Sequence, residues 1–95
     1  MKGGWVYIVT NQPFGPLYVG ATNDIQHRVG EHKARIGSKF AAKYGLTRLV
    51  HVERYEDILA AIQREKNIKH RPRAWKLNLI VAANPTWDDL PLDFL

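Results

Sequence analysis

The sequence predicts an α+β fold: a small, mainly antiparallel three-stranded sheet flanked by helices, in the order β-β-α-α-β-α-α. Three observations predict it. Short stretches rich in β-branched and aromatic residues stand at the start and in the middle of the chain. Stretches with apolar residues at helical spacing separate and follow them. Asn, Asp, Ser, Gly and Pro stand at the joints, where caps and turns need them.

The first strand is "WVYIVT", Trp5 to Thr10. The loop "NQPFGP", Asn11 to Pro16, carries two prolines and a glycine that forbid regular structure. "LYVGA", Leu17 to Ala21, reads as the second strand, so the pair forms an antiparallel hairpin. Thr22 or Asn23 can cap the next helix, and Asn23 with Gln26 has capping-box spacing. That helix is expected to run to Ile36, with Gly37 just past its end. Ser38 opens a short helix that ends at Gly45, and "TRLVHVERY", Thr47 to Tyr55, is the third strand. Asp57 caps "ILAAIQREKNIKH"; Pro72 fits the first turn of "RAWKLNLIVAA", which Asn84-Pro85 ends. In the tail, residues 84–95, Trp87, Leu90, Leu92 and Phe94 are too apolar to float free and are expected to pack back on the domain.

Ninety-five residues predict one domain, 1–95, with no internal repeat and no linker. The absence of cysteine excludes a disulfide framework, a thiolate zinc site and a cysteine nucleophile. No apolar run approaches the ~18 residues of a membrane span, and Met1 to Gly4 is too short and polar for a signal peptide. The expectation is a soluble protein of the cytoplasm, with no membrane partner. Fourteen Lys and Arg against nine Asp and Glu give a net charge of +5. The cations crowd the middle of the chain while Asp88, Asp89 and Asp93 gather in the tail. A basic middle suits a polyanion such as nucleic acid, and equally suits ordinary solvated helix faces.

Two helices carry polar groups where apolar ones belong. At about 100° per residue from Ile25, Val29 and Ile36 lie close to the starting direction, His32 falls inside that stripe and Arg28 at its edge. From Ile58, Ile62 lies at about +40° and Ile68 at about −80°, while Glu65 falls between them at about −20° with Lys69 beside it. A buried carboxylate without a partner costs several kcal/mol or takes up a proton. Each polar residue alone fits a self-satisfying buried pair, such as Glu65 with His32 or with Arg28, better than it fits a site. Together with the strand tyrosines Tyr7 and Tyr18 they make a site: a carboxylate suits a divalent cation, arginine a phosphate, and tyrosine or histidine a moving proton.

Tyr7 in "WVYI", Tyr18 in "YVG", Arg28 and His32 in "RVGEH" and Glu65 in "REKNIK" resemble the motifs of the GIY-YIG nuclease superfamily, in the order of its small stand-alone bacterial branch. The likeness runs from Trp5 to about Leu90. Two departures are visible. The first motif, Trp5-Val6-Tyr7, lacks its glycine, and Val19 replaces the usual isoleucine; both keep the tyrosine. The family's distal asparagine maps to Asn78 or Asn84, with Asn84 favoured by its "ANP.W" setting.

The resemblance implies hydrolysis of DNA phosphodiesters with one Mg²⁺ or Mn²⁺. Glu65 would hold the metal as the only carboxylate of the set, and Arg28 would steady the scissile phosphate. Tyr7 is the favoured proton acceptor and Tyr18 would orient water or phosphate, but the two can exchange roles, and His32 can itself be the base. Lys39, Lys43, Lys66, Lys69, Arg71 and Arg73 become candidates for backbone contacts to DNA. Phe40, Tyr44 and Trp75, interleaved with those cations, can stack unpaired bases or belong to the core. Members of the branch include enzymes that act on single-stranded DNA, so the resemblance makes single strands a candidate substrate and leaves the choice between single and double strands open. Two other readings stay open: a non-catalytic nucleic-acid-binding module, and an interaction protein docking through Trp87, Leu90, Phe94 and Leu95.

Overall fold

The computed structural model describes residues 3–94, the last of them in backbone only. Strand β1 (Gly4–Thr10) lies at the centre of a three-stranded sheet, between β2 (Tyr18–Thr22) and β3 (Arg48–Tyr55). Both pairings are antiparallel. Tyr7 stands opposite Gly20 on β2 and opposite Val52 on β3. Between Ile8, opposite His51, and Val9, opposite Leu49, the register slips and Val50 has no partner.

A central strand covered on both faces needs apolar residues at nearly every position, as "WVYIVT" has. Val6 and Ile8 enter one core with Val19, Val50, Ala61, Ile68, Ile80 and Trp87. Tyr7 and Val9 enter the other with Ile25, Val29, Ala41, Leu46 and Leu49. Helices α1 (Ile25–Lys33) and α2 (Lys39–Tyr44) therefore cover one face, and α3 (Ile58–Lys69) and α4 (Arg73–Ala83) the other. None of these helices is long and apolar enough to cross a membrane.

Several joints follow their chemistry. Ser38 and Asp57 cap α2 and α3 by accepting from the backbone N–H of Ala41 and Ala60, and Gly45 closes α2 in the left-handed region. Others differ from expectation. Asp24, rather than Thr22 or Asn23, caps α1 by accepting from His27 N–H, a carboxylate being the stronger partner at a helix N-terminus. Helix α1 also stops at Lys33. Arg35 turns left-handed (φ 61°), its N–H bonding the His32 carbonyl and the Ile36 N–H bonding the Glu31 carbonyl. This double closure satisfies the last carbonyls of α1 and turns the chain toward Ser38. Ile36 thereby leaves the apolar stripe and is 57% exposed. Pro72 sits at the cap position before α4, not inside its first turn.

The tail packs back. Leu90 N–H donates to the Leu49 carbonyl at 2.8 Å, Asp89 accepts from Leu49 N–H at 2.8 Å, and Trp87 is buried. Leu90 and Leu92 pack on the core beside α1. The expectations for the Phe94 side chain and for Leu95 lie outside the described residues.

Candidate active site

Strand alternation sends Tyr7 toward α1, and its ring crosses β2 at Gly20. A Cβ at Gly20 would stand 2.3 Å from the Tyr7 hydroxyl oxygen, so only glycine leaves room for this ring. Tyr18, two residues earlier on the same face of β2, puts its ring centroid 6.4 Å from that of Tyr7. On α1, Arg28 and His32 are one turn apart and both face the sheet beside Val29.

The three side chains converge on one oxygen. The Tyr7 hydroxyl lies 2.9 Å from His32 Nε2 and accepts from Arg28 Nε at 3.1 Å. His32 is only 2% exposed, with its ring 5.4 Å from Tyr7 and 5.2 Å from Tyr18. Burial holds the His32 pKa below its ordinary value, and the Arg28 charge adds to that, so the ring is neutral near pH 7. Burial also pushes the Tyr7 hydroxyl up to about 12, against the pull of the Arg28 hydrogen bond. A protonated hydroxyl that already accepts from Arg28 has its own proton to place, and His32 Nε2 is the acceptor in reach. We therefore assign the ring proton to Nδ1, a buried atom with no protein partner among the described residues. Burial disfavours the Arg28 charge, but hydrogen bonds to Tyr7 and Glu31 outweigh it and keep the guanidinium protonated.

Glu65 comes from the other face. The apolar line of α3 runs through Ala61 and Ile68, whereas Ile62, expected inside the arc, is 37% exposed. Residues on either flank of that line reach opposite edges of the sheet. Arg64 binds Glu53 on β3 through two bonds of 2.9 and 3.1 Å. On the opposite flank, Glu65 pairs with Lys69 at 2.9 Å, and the Lys69 ammonium lies 6.0 Å from the Tyr18 ring centroid on edge strand β2. The carboxylate of Glu65 is thus brought to the edge where Tyr18 stands, with its side chain 17% exposed.

No group of three or more His, Cys, Asp or Glu side chains able to hold a metal occurs among the described residues. The carboxylate brought to this edge is Glu65, 17% exposed and paired with Lys69, so water and substrate oxygens would have to supply the other ligands. That set fits a hard ion such as Mg²⁺, which keeps several waters and takes one or two carboxylates plus phosphate oxygens. It does not fit an all-protein cage.

The remaining candidates fall elsewhere. Asn84 is buried: its amide donates to the carbonyls of Val50 (3.1 Å) and Asp88 (2.9 Å), and its oxygen accepts from Asp88 N–H (3.1 Å). It ties α4 to β3 and the tail, and is not brought to the Tyr7 cluster. Asn78 is exposed on α4. Arg73 donates to the carbonyls of Phe14 and Gly15 and so braces the β1–β2 loop. Arg71 and Arg64 both lie over the Trp75 ring, at 5.0 and 5.6 Å, which makes Trp75 a partner of guanidinium groups within the fold. Lys66 is exposed on α3, and Lys39 and Lys43 are exposed on α2. Two further residues shape the site without standing out in the sequence. Glu31 accepts from Arg28 Nη1 at 3.1 Å, a pairing its i,i+3 spacing signals. Gly20 matters through cross-strand register, which spacing along the chain does not reveal.

Residues 3–78 match the GIY-YIG catalytic domain family. The chain is 42% identical over 64 residues to a UPF0213 protein of Natronomonas pharaonis, covering 67% of this chain and 75% of that protein. It is 39% identical over 75 residues to a UPF0213 protein of Haloquadratum walsbyi (79% and 83% covered). A UPF0213 protein of Staphylococcus aureus is 38% identical over 80 residues (84% and 96% covered). No solved structure matches the chain. With this match over most of its length, the chain belongs to the GIY-YIG family, a nuclease-type superfamily, alongside the UPF0213 proteins.

Proposed function

We propose that the protein is a metal-dependent DNA nuclease that hydrolyses phosphodiester bonds with Mg²⁺ or Mn²⁺. The observation that carries this reading is the buried Tyr7 hydroxyl held between Arg28 Nε and His32 Nε2, at a sheet edge shared with Glu65. Arg28 places a permanent positive charge where phosphate charge grows in the transition state. The Tyr7 hydroxyl, fully covered in the free protein, takes the proton of the attacking water as it passes its own to His32 Nε2, so substrate binding has to open a path to it. No free tyrosinate is needed, which suits a hydroxyl that burial keeps protonated to about pH 12. Tyr18 orients the water or phosphate beside this pair. Glu65 would hold the metal, whose chemistry is Lewis-acid charge on the phosphate and the leaving oxygen.

The substrate reading is single-stranded DNA. Phe40 and Tyr44 on α2 are 46% and 44% exposed, with ring centroids 5.0 Å apart and the Lys43 ammonium 5.4 Å from the Tyr44 ring. Exposed aromatic faces among lysines stack unpaired bases and hold the backbone. Helix α2 starts beside the site, since the Gly37 Cα comes so near Arg28 that an added Cβ would meet Nη1 at 2.6 Å.

The deciding experiment incubates the protein with single- and double-stranded oligonucleotides, with and without Mg²⁺ or Mn²⁺, beside Arg28→Ala and Glu65→Gln. The expected result is metal-dependent cleavage, faster on single strands and lost in both variants. Salt-sensitive binding without metal-dependent cleavage would identify a non-catalytic binding module instead.

A further inference from the structure

We infer that Glu31 is a positioning residue for Arg28: its carboxylate holds one side of the guanidinium so that the free side faces the phosphate of the bound strand. The inference rests on the nuclease reading above. Arg28 is held at two of its three nitrogens. Nε donates to the Tyr7 hydroxyl at 3.1 Å, and Nη1 donates to Glu31 Oε1 at 3.1 Å. The backbone at Gly37 closes against Nη1, leaving no space there for a side chain. Nη2 takes no part in these two bonds, and the neighbouring side chain that also acts on the guanidinium is Tyr18, itself placed to meet the water or phosphate. Both partners of the ion pair are about three-quarters covered, with 24% and 27% of their side chains exposed. His27 reaches the other Glu31 oxygen only at 3.7 Å, from an exposed position.

A carboxylate at this place has two separable effects. As an acceptor it fixes the guanidinium, which favours reaction, because a misdirected catalytic group loses rate steeply. As a charge it repels the incoming phosphate, which weakens DNA binding. An ordinary surface pair between helix neighbours would not fix the guanidinium, so its removal would leave kcat and the Arg28 Nε–H unchanged.

The test measures three quantities on Glu31→Gln and Glu31→Ala in the full chain. They are the Kd for a DNA oligonucleotide at low salt without metal, kcat with Mg²⁺, and solvent exchange of the Arg28 Nε–H in a proton–nitrogen spectrum. Glu31→Ala should lower kcat about tenfold while tightening Kd about threefold at low salt. Its Nε–H, shielded in the wild type by the bond to Tyr7, should exchange about tenfold faster as that bond opens. Glu31→Gln keeps an acceptor and loses the charge. It should retain kcat and the slow Nε–H while sharing the tighter Kd. An unchanged Nε–H in Glu31→Ala, or a weaker Kd in either variant, overturns the inference. A wild-type protein that never cleaves overturns the nuclease reading, and the Nε–H exchange then decides the positioning role by itself.

Discussion

The Tyr7 hydroxyl and His32 Nε2 lie 2.9 Å apart inside the protein, on an oxygen that Arg28 also reaches at 3.1 Å. A hydroxyl between one donor and one acceptor is arranged to pass a proton on. The proposed relay gives tyrosine and histidine a joint role, in which Tyr7 would meet the water and His32 would end with the proton. Tyr7→Phe removes that hydroxyl and keeps the ring packed across Gly20. Cleavage at saturating DNA should fall by ~10²–10⁴. Thermal unfolding should show a loss of about 1–3 kcal/mol, because buried His32 Nε2 loses its partner. A Tyr7→Phe variant with near wild-type turnover would remove tyrosine from the relay.

The same pair sets the pH dependence. Burial depresses His32 below its ordinary value of 6.5, so the unfolded chain binds more protons just below that pH. Its contribution to stability is therefore present above pH 6.5 and declines as pH falls. Glu53 acts in the same direction at lower pH. Burial raises its pKa, but bonds from His51, Arg64 and Tyr55 overcome this and hold the carboxyl well below the usual range. Tyr7, raised from 10.0 to about 12, is the opposite case, and its contribution is lost as pH climbs above 10. For cleavage the relay needs neutral His32 and protonated Tyr7. The rate profile should rise with a midpoint below 6.5 and stay flat to at least pH 9. A rate that keeps climbing about tenfold per pH unit through that range would mean that free tyrosinate is the base.

What the sequence makes legible depends on how local the cause is. Arg28 and His32 stand out because helical spacing alone puts them on or beside a stripe with Ile25 and Val29, although Glu31 is a local i,i+3 partner for Arg28. The caps at Ser38 and Asp57 are equally local. Ile36 is misread because only the turn at Arg35, made to reach the next helix, takes it off the stripe. Ile62 is misread because the line of α3 is set by what Ala61 and Ile68 meet on the sheet. Gly20 escapes notice because its partner lies across a hairpin. Asparagines are the least legible, since an amide binds backbone or substrate with equal ease and only tertiary placement decides.

Asn84 tests that last point. Its side chain makes three bonds to backbone groups of Val50 and Asp88, all in a buried setting. Asn84→Ala should leave those groups unpaired and cost about 2 kcal/mol or more in denaturant unfolding. Turnover of the folded fraction should be unchanged. A variant with full stability and lost cleavage would instead bring Asn84 into the chemistry.

Glu65 and Lys69 are the remaining pair. The Glu65 carboxylate is matched at 2.9 Å by a lysine whose ammonium sits over Tyr18, so a divalent cation at the proposed site would compete with a resident positive charge. Glu65→Gln removes the charge and keeps the shape. Cleavage should be abolished, while the fold and metal-free DNA binding stay close to wild type, because neither rests on this carboxylate. Lys69→Met removes only the competitor. An i,i+4 helix pair is worth about 0.3–0.5 kcal/mol, so the metal concentration for half-maximal binding should fall roughly twofold. That is measured with Mn²⁺ alone by electron paramagnetic resonance, apart from any turnover. If Glu65→Gln binds Mn²⁺ as the wild type does, the metal is held elsewhere. If only Lys69→Met fails to shift binding, the lysine is a bystander and Glu65 keeps its role.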